Sequence, residues 1–386
     1  MYRVLVLDGN RSALNAIPIG FDVYFLQSLE RNSLVSDHAQ DHILIYRDKK
    51  EAVNIAARLH RDLKLDSVLC FYEFSLELAA TIADSLSITG HSPDVIKRTR
   101  NKLAMREFFR DGIFDNVPFY NVLDIATDEH LLSGLSYPIV IKPIDGAGSA
   151  GVKILDNKGA LKTFLVSTGP ENYADYMIEQ FINGTEYSVE ALVLEGEIYH
   201  IELTRKFKYL NQTVEIAHQY PAIVNSSIRS AITQFVSRMI QDLKIQFGPV
   251  HTEVILSDSS EIHLVETHTR YGGDRIWLMT KDVSGFGPQE AGYFTSVGLP
   301  PIKTDTAWKS AFVYFHHGPG RITSVDLQAT DLQKAEVHHE IEINTAKIHS
   351  IPRSSDDRFG FSYAKFRKPH DPSALLQMFK KIILLE

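Results

Sequence analysis

The chain has 386 residues, enough for two or three packed modules at about 150 residues each. Apolar residues at 44% and charged residues at 23% are ordinary for a globular chain and exclude a disordered, collagen-like, coiled-coil or disulfide-stapled protein. Forty basic against 48 acidic side chains give a net charge of −8 with no basic block, which argues against a nucleic-acid partner.

The single cysteine, Cys70, falls in an apolar run from Leu69 to Phe71, where a buried, inert thiol in a reducing compartment is expected. The N-terminal stretch meets Asp8 before a signal-like apolar region forms, and nowhere do about 18 apolar residues run together. A cytoplasmic protein with no membrane partner is the expectation.

In chain order, Val4 to Leu7 reads as a strand, Ile43 to Tyr46 as a second, Glu51 to Leu63 as an amphipathic helix and Ser67 to Tyr72 as a third strand. This alternation predicts a small parallel α/β domain over residues 1–90. Ser92-Pro93 is a helix start, with a capping hydroxyl followed by a proline where its missing donor is harmless, and a further helix is predicted over Lys102 to Arg110. From Tyr137 the segments shorten into strands joined by glycine turns: Ile139 to Lys142, Val152 to Leu155, Met177 to Gln180, Tyr187 to Leu194 and Ile198 to Thr204. A helix over Ser227 to Asp242 precedes two strands, His251 to Leu256 and Ile262 to Thr267, with a turn at Asp258-Ser259-Ser260. Residues 301–386 read as a β-rich cap, with strands at Ala311 to Phe315, Val337 to Ile343 and Phe361 to Phe366 and a last helix from Pro372 to about Leu385.

Gly146-Ala147-Gly148-Ser149-Ala150-Gly151 matches G-x-G-x-x-G after a strand, but Val152 to Leu155 is strand-like, whereas a dinucleotide fingerprint opens a helix. The loop therefore joins two strands. Such a glycine hairpin can lay backbone amides on phosphate oxygens, with Lys142 just before it as a cation, although an ordinary flexible hairpin has the same sequence.

Glu253 and Glu266 lie thirteen residues apart on the two strands flanking the Asp258 turn, so a hairpin can set them side by side. Paired acids on apolar strands are costly without a cation, and hard oxygen donors suit Mg²⁺. The period of two places Glu266, His268 and Arg270 on one face.

Taken together, Lys102, the Tyr137 to Pro143 run, the glycine loop, the Glu179 to Glu190 run, His251-Thr252-Glu253 and the Glu266 to Asp274 run resemble the ATP-grasp carboxylate–amine ligases, over about Met1 to Pro300. The resemblance implies an α/β and α+β architecture. It comprises a Rossmann-like N-terminal domain (1–90), an ATP-grasp domain (91–300, lobes about 91–175 and 176–300) and a C-terminal β-rich cap (301–386). It implies ATP with Mg²⁺, or Mn²⁺ in its place. Lys102, Lys142, Gly146, Gly148, Ser149 and Gly151 would meet the phosphates, Glu179, Gln180, Phe181 and Ile182 the adenine, and Glu186 the ribose. The metal would sit on Glu253 and Glu266. His268 stands where many members carry asparagine, which leaves its metal role open.

Val214 to Ala222 contains Glu215-x-x-His218 and resembles the substrate segment of the bacterial L-amino acid ligases. That likeness implies Glu215 on the amino group of a first substrate, with His218 and Arg270 on its carboxylate or acyl phosphate, a charge complement suited to an amino acid. Gly273 and Asp274 would border its side chain, and an acid at 274 could accept a longer or cationic one. Glu73, at the end of a strand in the first domain, is a candidate for the second substrate. The adjacent pairs His316-His317 and His338-His339 point to opposite sides of their strands and should not chelate one metal. The implied reaction joins two small amino-acid-like or carboxylate and amine substrates through an acyl phosphate, and a homodimer is compatible with it. The alternatives are a ligase of nucleotide or cofactor biosynthesis, or an ATP-binding regulator without turnover.

Overall fold

The computed structural model describes residues 1–386 apart from 35–41, 115, 209–212, 328–334, 344–346 and 386. The N-terminal unit is a parallel four-stranded sheet in the order Ile43–Tyr46, Phe21–Ser28, Tyr2–Leu7, Ser67–Cys70. The strand Phe21–Ser28 was not among those expected, because Asp22 and Gln27 interrupt its apolar run. Alternation along the central strand sends Leu5 and Leu7 to one face, under the helices Lys49–Leu63 and Leu76–Leu86, and Val4 and Val6 to the other. That second face is covered by Phe247, Tyr271 and Tyr293 from much later in the chain. Tyr293 Oη donates to the Ala13 carbonyl at 3.0 Å and the Ser67 and Ser296 hydroxyls lie 2.9 Å apart, so the N-terminal sheet is fastened to the rest of the fold.

Ser92 caps the helix Pro93–Arg100 as its sequence suggested, accepting from the Val95 amide, and Asn101 caps the helix Lys102–Phe108 that carries Lys102 and Arg106 into the interior. A small antiparallel sheet follows, ordered Phe119–Asn121, Tyr176–Gln180, Ile139–Pro143, Lys153–Leu155. The glycine loop joins its last two strands as a hairpin. Val122, Ile125, Leu161 and Phe164, from two covering helices, pack with Ile139, Ile141 and Ile178 of the sheet.

The largest element is an eight-stranded antiparallel sheet ordered Ile262–His268, Gly248–Ser257, Gly184–Leu194, Glu197–Lys208, Glu215–Tyr220, Ser310–His316, Gly360–Phe366, Ala335–Ile341. The strands expected in a C-terminal cap therefore extend the same sheet through Glu215–Tyr220. Alternation again sorts the packing: Phe312 and Tyr314 face the C-terminal helix, while Ala311, Val313 and Phe315 face the helix Ile276–Ser284. That C-terminal helix stops at Lys380, not near Leu385, because Ile383–Leu385 pairs as a strand with Ile322–Val325. No helix among the described residues is long and apolar enough to cross a membrane.

Candidate active site

A cleft of about 1290 Å³ opens between the small sheet and the large one, with Tyr72, Glu73 and Phe74 of the N-terminal unit on one wall. Single-ligand pockets are typically about 300–1,000 Å³, so this space suits more than one bound molecule. It is lined by Lys102, Lys142, Gly146 to Ala150 of the glycine loop but not Gly151, Glu179 to Glu186, Glu215, His218, Glu253, Glu266, Arg270, Gly273 and Asp274. Nearly the whole expected set thus converges; His268 is buried behind the lining between two of its acids.

At one end, Glu179 is buried between Arg106 Nε at 2.8 Å and Lys142 Nζ at 2.6 Å. Burial alone would raise its pKa, but these two cations outweigh it and hold the carboxyl at about 2. Two cations thus share one anion. Burial depresses the Lys142 ammonium, and the positive charges of Arg106 and Lys102 add to that against the opposing pull of Glu179. The side-chain amide of Gln180 is clasped to the Ser136 backbone by two bonds of 2.8 Å. Phe181 and Ile182 line the connection between the two sheets.

The glycine hairpin bends where Gly148, Ser149 and Gly151 adopt left-handed backbone, at φ 65°, 59° and 76°. It is latched on both sides: Ser149 Oγ donates to the Thr213 carbonyl at 2.9 Å, and the Gly148 carbonyl accepts from the Ser355 amide at 3.2 Å. At its base the Gly146 carbonyl accepts from Lys102 Nζ at 2.9 Å, while the same ammonium sits 2.8 Å from Glu266.

Glu253 and Glu266 are directly paired across the hairpin. Each acid has its own cation: Lys102 for Glu266, and Lys206 with His251 for Glu253, at 2.5 and 3.2 Å. The ring nitrogens of His268 stand 3.2 Å from Glu266 and 3.2 Å from Glu73, off the line of a hydrogen bond, so that ring bridges two carboxylates. Among the described residues, the acids whose oxygens converge as metal ligands are Glu186, Glu215 and Glu253, within 4.8 Å of one another. Lys206 projects into that group, 3.1 Å from Glu186 and 2.9 Å from Glu215. Despite complete burial, which opposes charge, the acids around Lys206 push its pKa well up, so the ammonium persists.

Glu186, expected on a ribose, lines the cleft and is held by Lys206 and Lys208. Glu73, expected toward the second substrate, bonds Arg270 Nε at 2.5 Å. Its burial is outweighed by His268 and Arg270, which hold its carboxyl at about 2. Its charge is therefore satisfied within the protein. Asp274 is likewise engaged, by Arg358 Nη2 at 2.6 Å, so it offers no free negative charge to a substrate. His218 is 1% exposed, and neither ring nitrogen has a hydrogen-bond partner among the described residues; Asp274 is 4.0 Å away.

Residues 135–277 match the ATP-grasp domain family. The chain contains an ATP-grasp domain. It is 22% identical over 260 residues to the alanine–anticapsin ligase of Bacillus subtilis strain 168, covering 61% of this chain and 54% of that protein. It is 21% identical over 290 residues to the L-arginine-specific L-amino acid ligase of Bacillus subtilis, covering 72% and 70%. The match thus spans about half the length of the first relative. The solved L-amino acid ligase from Bacillus licheniformis superposes with a TM-score of 0.79 at 20% identity, over 100% of this chain and 99% of that one, which shows the same ATP-grasp fold.

Several residues of this ATP-grasp cleft escaped the sequence reading. Lys206, Arg106 and Arg358 are reached only through tertiary packing, although the period of two in Thr204-Arg205-Lys206-Phe207-Lys208 marks two lysines on one strand face. His251 is pushed up to about 9, against its burial, by Glu190 at 2.9 Å and by Glu253. His316 and His339, one from each histidine pair, bond the Ser362 hydroxyl at 2.7 Å across three strands and outside the cleft lining. Cys70 is buried, and burial raises its thiol to about 12.

Proposed function

We propose that the chain is an ATP-dependent carboxylate–amine ligase that joins two amino-acid-like substrates into a peptide or amide, releasing ADP and phosphate. The observation that carries this reading is His218. A buried imidazole with no hydrogen-bond partner among the described residues, 4.0 Å from Asp274, on the same strand as Glu215 and inside the same cleft as Arg270, suits an anionic or polar ligand. A carboxylate from an amino acid supplies it, with Glu215, which also pairs with Lys206, on the ammonium group.

The residues present also fit ATP and a divalent cation. The excess of cations over Glu179 and the left-handed glycine loop suit a polyphosphate, so Lys102, Lys142 and the loop amides would hold the phosphates. Phe181 and Ile182 would hold the adenine. Glu253 and Glu266 present carboxylate oxygens, the donors that Mg²⁺, or Mn²⁺ in its place, prefers, with Glu186 and Glu215 close by. The metal would neutralise charge on the transferring phosphoryl group.

In the proposed sequence, the first substrate's carboxylate oxygen takes the γ-phosphoryl group. The second substrate's amine then attacks the acyl carbon, the bond to phosphate breaks, and the amine loses a proton. Within this scheme Arg270 stabilises the developing charge and His218 orients the acyl group, while the closed glycine loop excludes water. Phosphoryl transfer asks for positioning and neutralisation more than for a protein nucleophile, which agrees with a cleft rich in fixed charges.

An ADP-release screen over pairs of amino acids, with mass detection of product, tests the reading. Turnover with at least one pair, abolished by Glu266→Ala and by Arg270→Ala, is the expected result. Absence of ADP release with every acid and amine would sink it and favour an ATP-binding regulator.

A further inference from the structure

If the chain is the ligase proposed above, the wall around Asp274 decides which first substrate the cleft accepts. The Asp274 carboxylate lines the cleft beside His218, where an acid could recruit a cationic side chain. Arg358, from the C-terminal segment, removes that option. Its Nη2 donates to Asp274 Oδ1 at 2.6 Å, its Nε donates to the Ser355 carbonyl at 2.8 Å, and its guanidinium lies 3.9 Å over the Phe315 ring. A third nitrogen approaches the Glu215 carbonyl at 3.5 Å. The Arg358 side chain is 8% exposed and fixed on several sides, so the pair is a built part of the wall and not a chance surface contact.

With Asp274 and Arg358 cancelling each other, the cleft lining also holds the uncharged Ile216, Ile276, Gly273 and Leu376, while the carboxylate of Asp356 stands exposed to solvent. A charged side chain placed against the Asp274–Arg358 pair would lose hydration and find that countercharge already taken. We propose that the first substrate is an amino acid with an uncharged, aliphatic side chain, and that Arg358 is the specificity-determining residue that enforces this by neutralising Asp274.

Opposite substitutions should tilt the preference in opposite directions. In the ADP-release assay with product mass detection, leucine, lysine and glutamate are compared as carboxylate donors against a common panel of amines. Wild type should favour leucine. Arg358→Gln, which frees Asp274, should raise the lysine-to-leucine ratio of kcat/KM about tenfold or more, and Asp274→Asn, which frees Arg358, should raise the glutamate-to-leucine ratio comparably. Arg358→Lys should retain the wild-type order.

A wild type that prefers lysine overturns the inference whether or not the variants fold. Unchanged ratios in a variant that turns over also overturn it. A wild type that releases no ADP with any pair instead overturns the ligase reading beneath it, so the two failures are told apart.

Discussion

Lys206 Nζ lies 2.5 Å from Glu253 Oε1 inside the large sheet, and the same ammonium serves Glu186 and Glu215. Three carboxylates this close hold together only around a cation. Lys206→Met removes the cation all three share and leaves Lys208 beside Glu186 and His251 beside Glu253, so a stability loss of about 3–5 kcal/mol is expected in denaturant titrations. Because a divalent ion could take over the same oxygens, Mg²⁺ should stabilise the variant more than it stabilises wild type. An equal Mg²⁺ effect on both proteins would show that these acids do not gather a metal.

The His251 imidazolium, bonded to Glu190 and Glu253, gives the fold a pH dependence of definite sign. Its pKa rises from about 6.5 unfolded to about 9 folded, so its contribution is fully present below pH 6.5 and is lost as pH climbs through 9. The contribution is on the order of 3 kcal/mol. Unfolding free energies of wild type and His251→Gln, measured from pH 6 to 10, should converge toward the alkaline end. A constant gap across that range would show that the ring is neutral in the native state.

Much of this arrangement was readable because it rests on local periodicity. The pairing of Glu253 with Glu266 follows from strand alternation and a short turn, and the glycine hairpin follows from the strand-like Val152 to Leu155. The cations that settle those acids were not readable, since Arg106 reaches Glu179 across 73 residues and Arg358 reaches Asp274 across 84. Partners at that separation are set by how sheets and helices pack, and no spacing rule encodes it. The same limit applies to Glu73: its place at the end of a parallel strand was legible, but its capture by Arg270, 197 residues away, was not.

Gly148 tests whether the hairpin works through its backbone shape. At φ 65° a branched side chain is strained, while the space beside it is open, with Ser355 atoms no nearer than 3.6 Å to an added Cβ. Gly148→Val should therefore cost only about 1–2 kcal/mol of stability, confined to an exposed loop, yet weaken ADP binding about tenfold or more by tilting the loop amides. Calorimetric titration with ADP measures this directly. Wild-type affinity in the variant would mean that the loop does not contact the nucleotide.

Glu179 is the only carboxylate within ion-pair distance of both Arg106 and Lys142 among the described residues, and replacing it with glutamine tests the cation excess at that end of the cleft. Its pKa falls from about 4.3 unfolded to about 2 folded, so its contribution, on the order of 3 kcal/mol, is present above pH 4.3 and fades as pH drops toward 2. Glu179→Gln should accordingly be less stable by about that amount at pH 7, with the gap to wild type narrowing below pH 4.3. Two buried cations then lack any anion, so tripolyphosphate should raise the melting temperature of the variant more than that of wild type. If tripolyphosphate shifts both equally, Arg106 and Lys142 are structural partners of Glu179 alone, and the phosphates of ATP must be held elsewhere in the cleft.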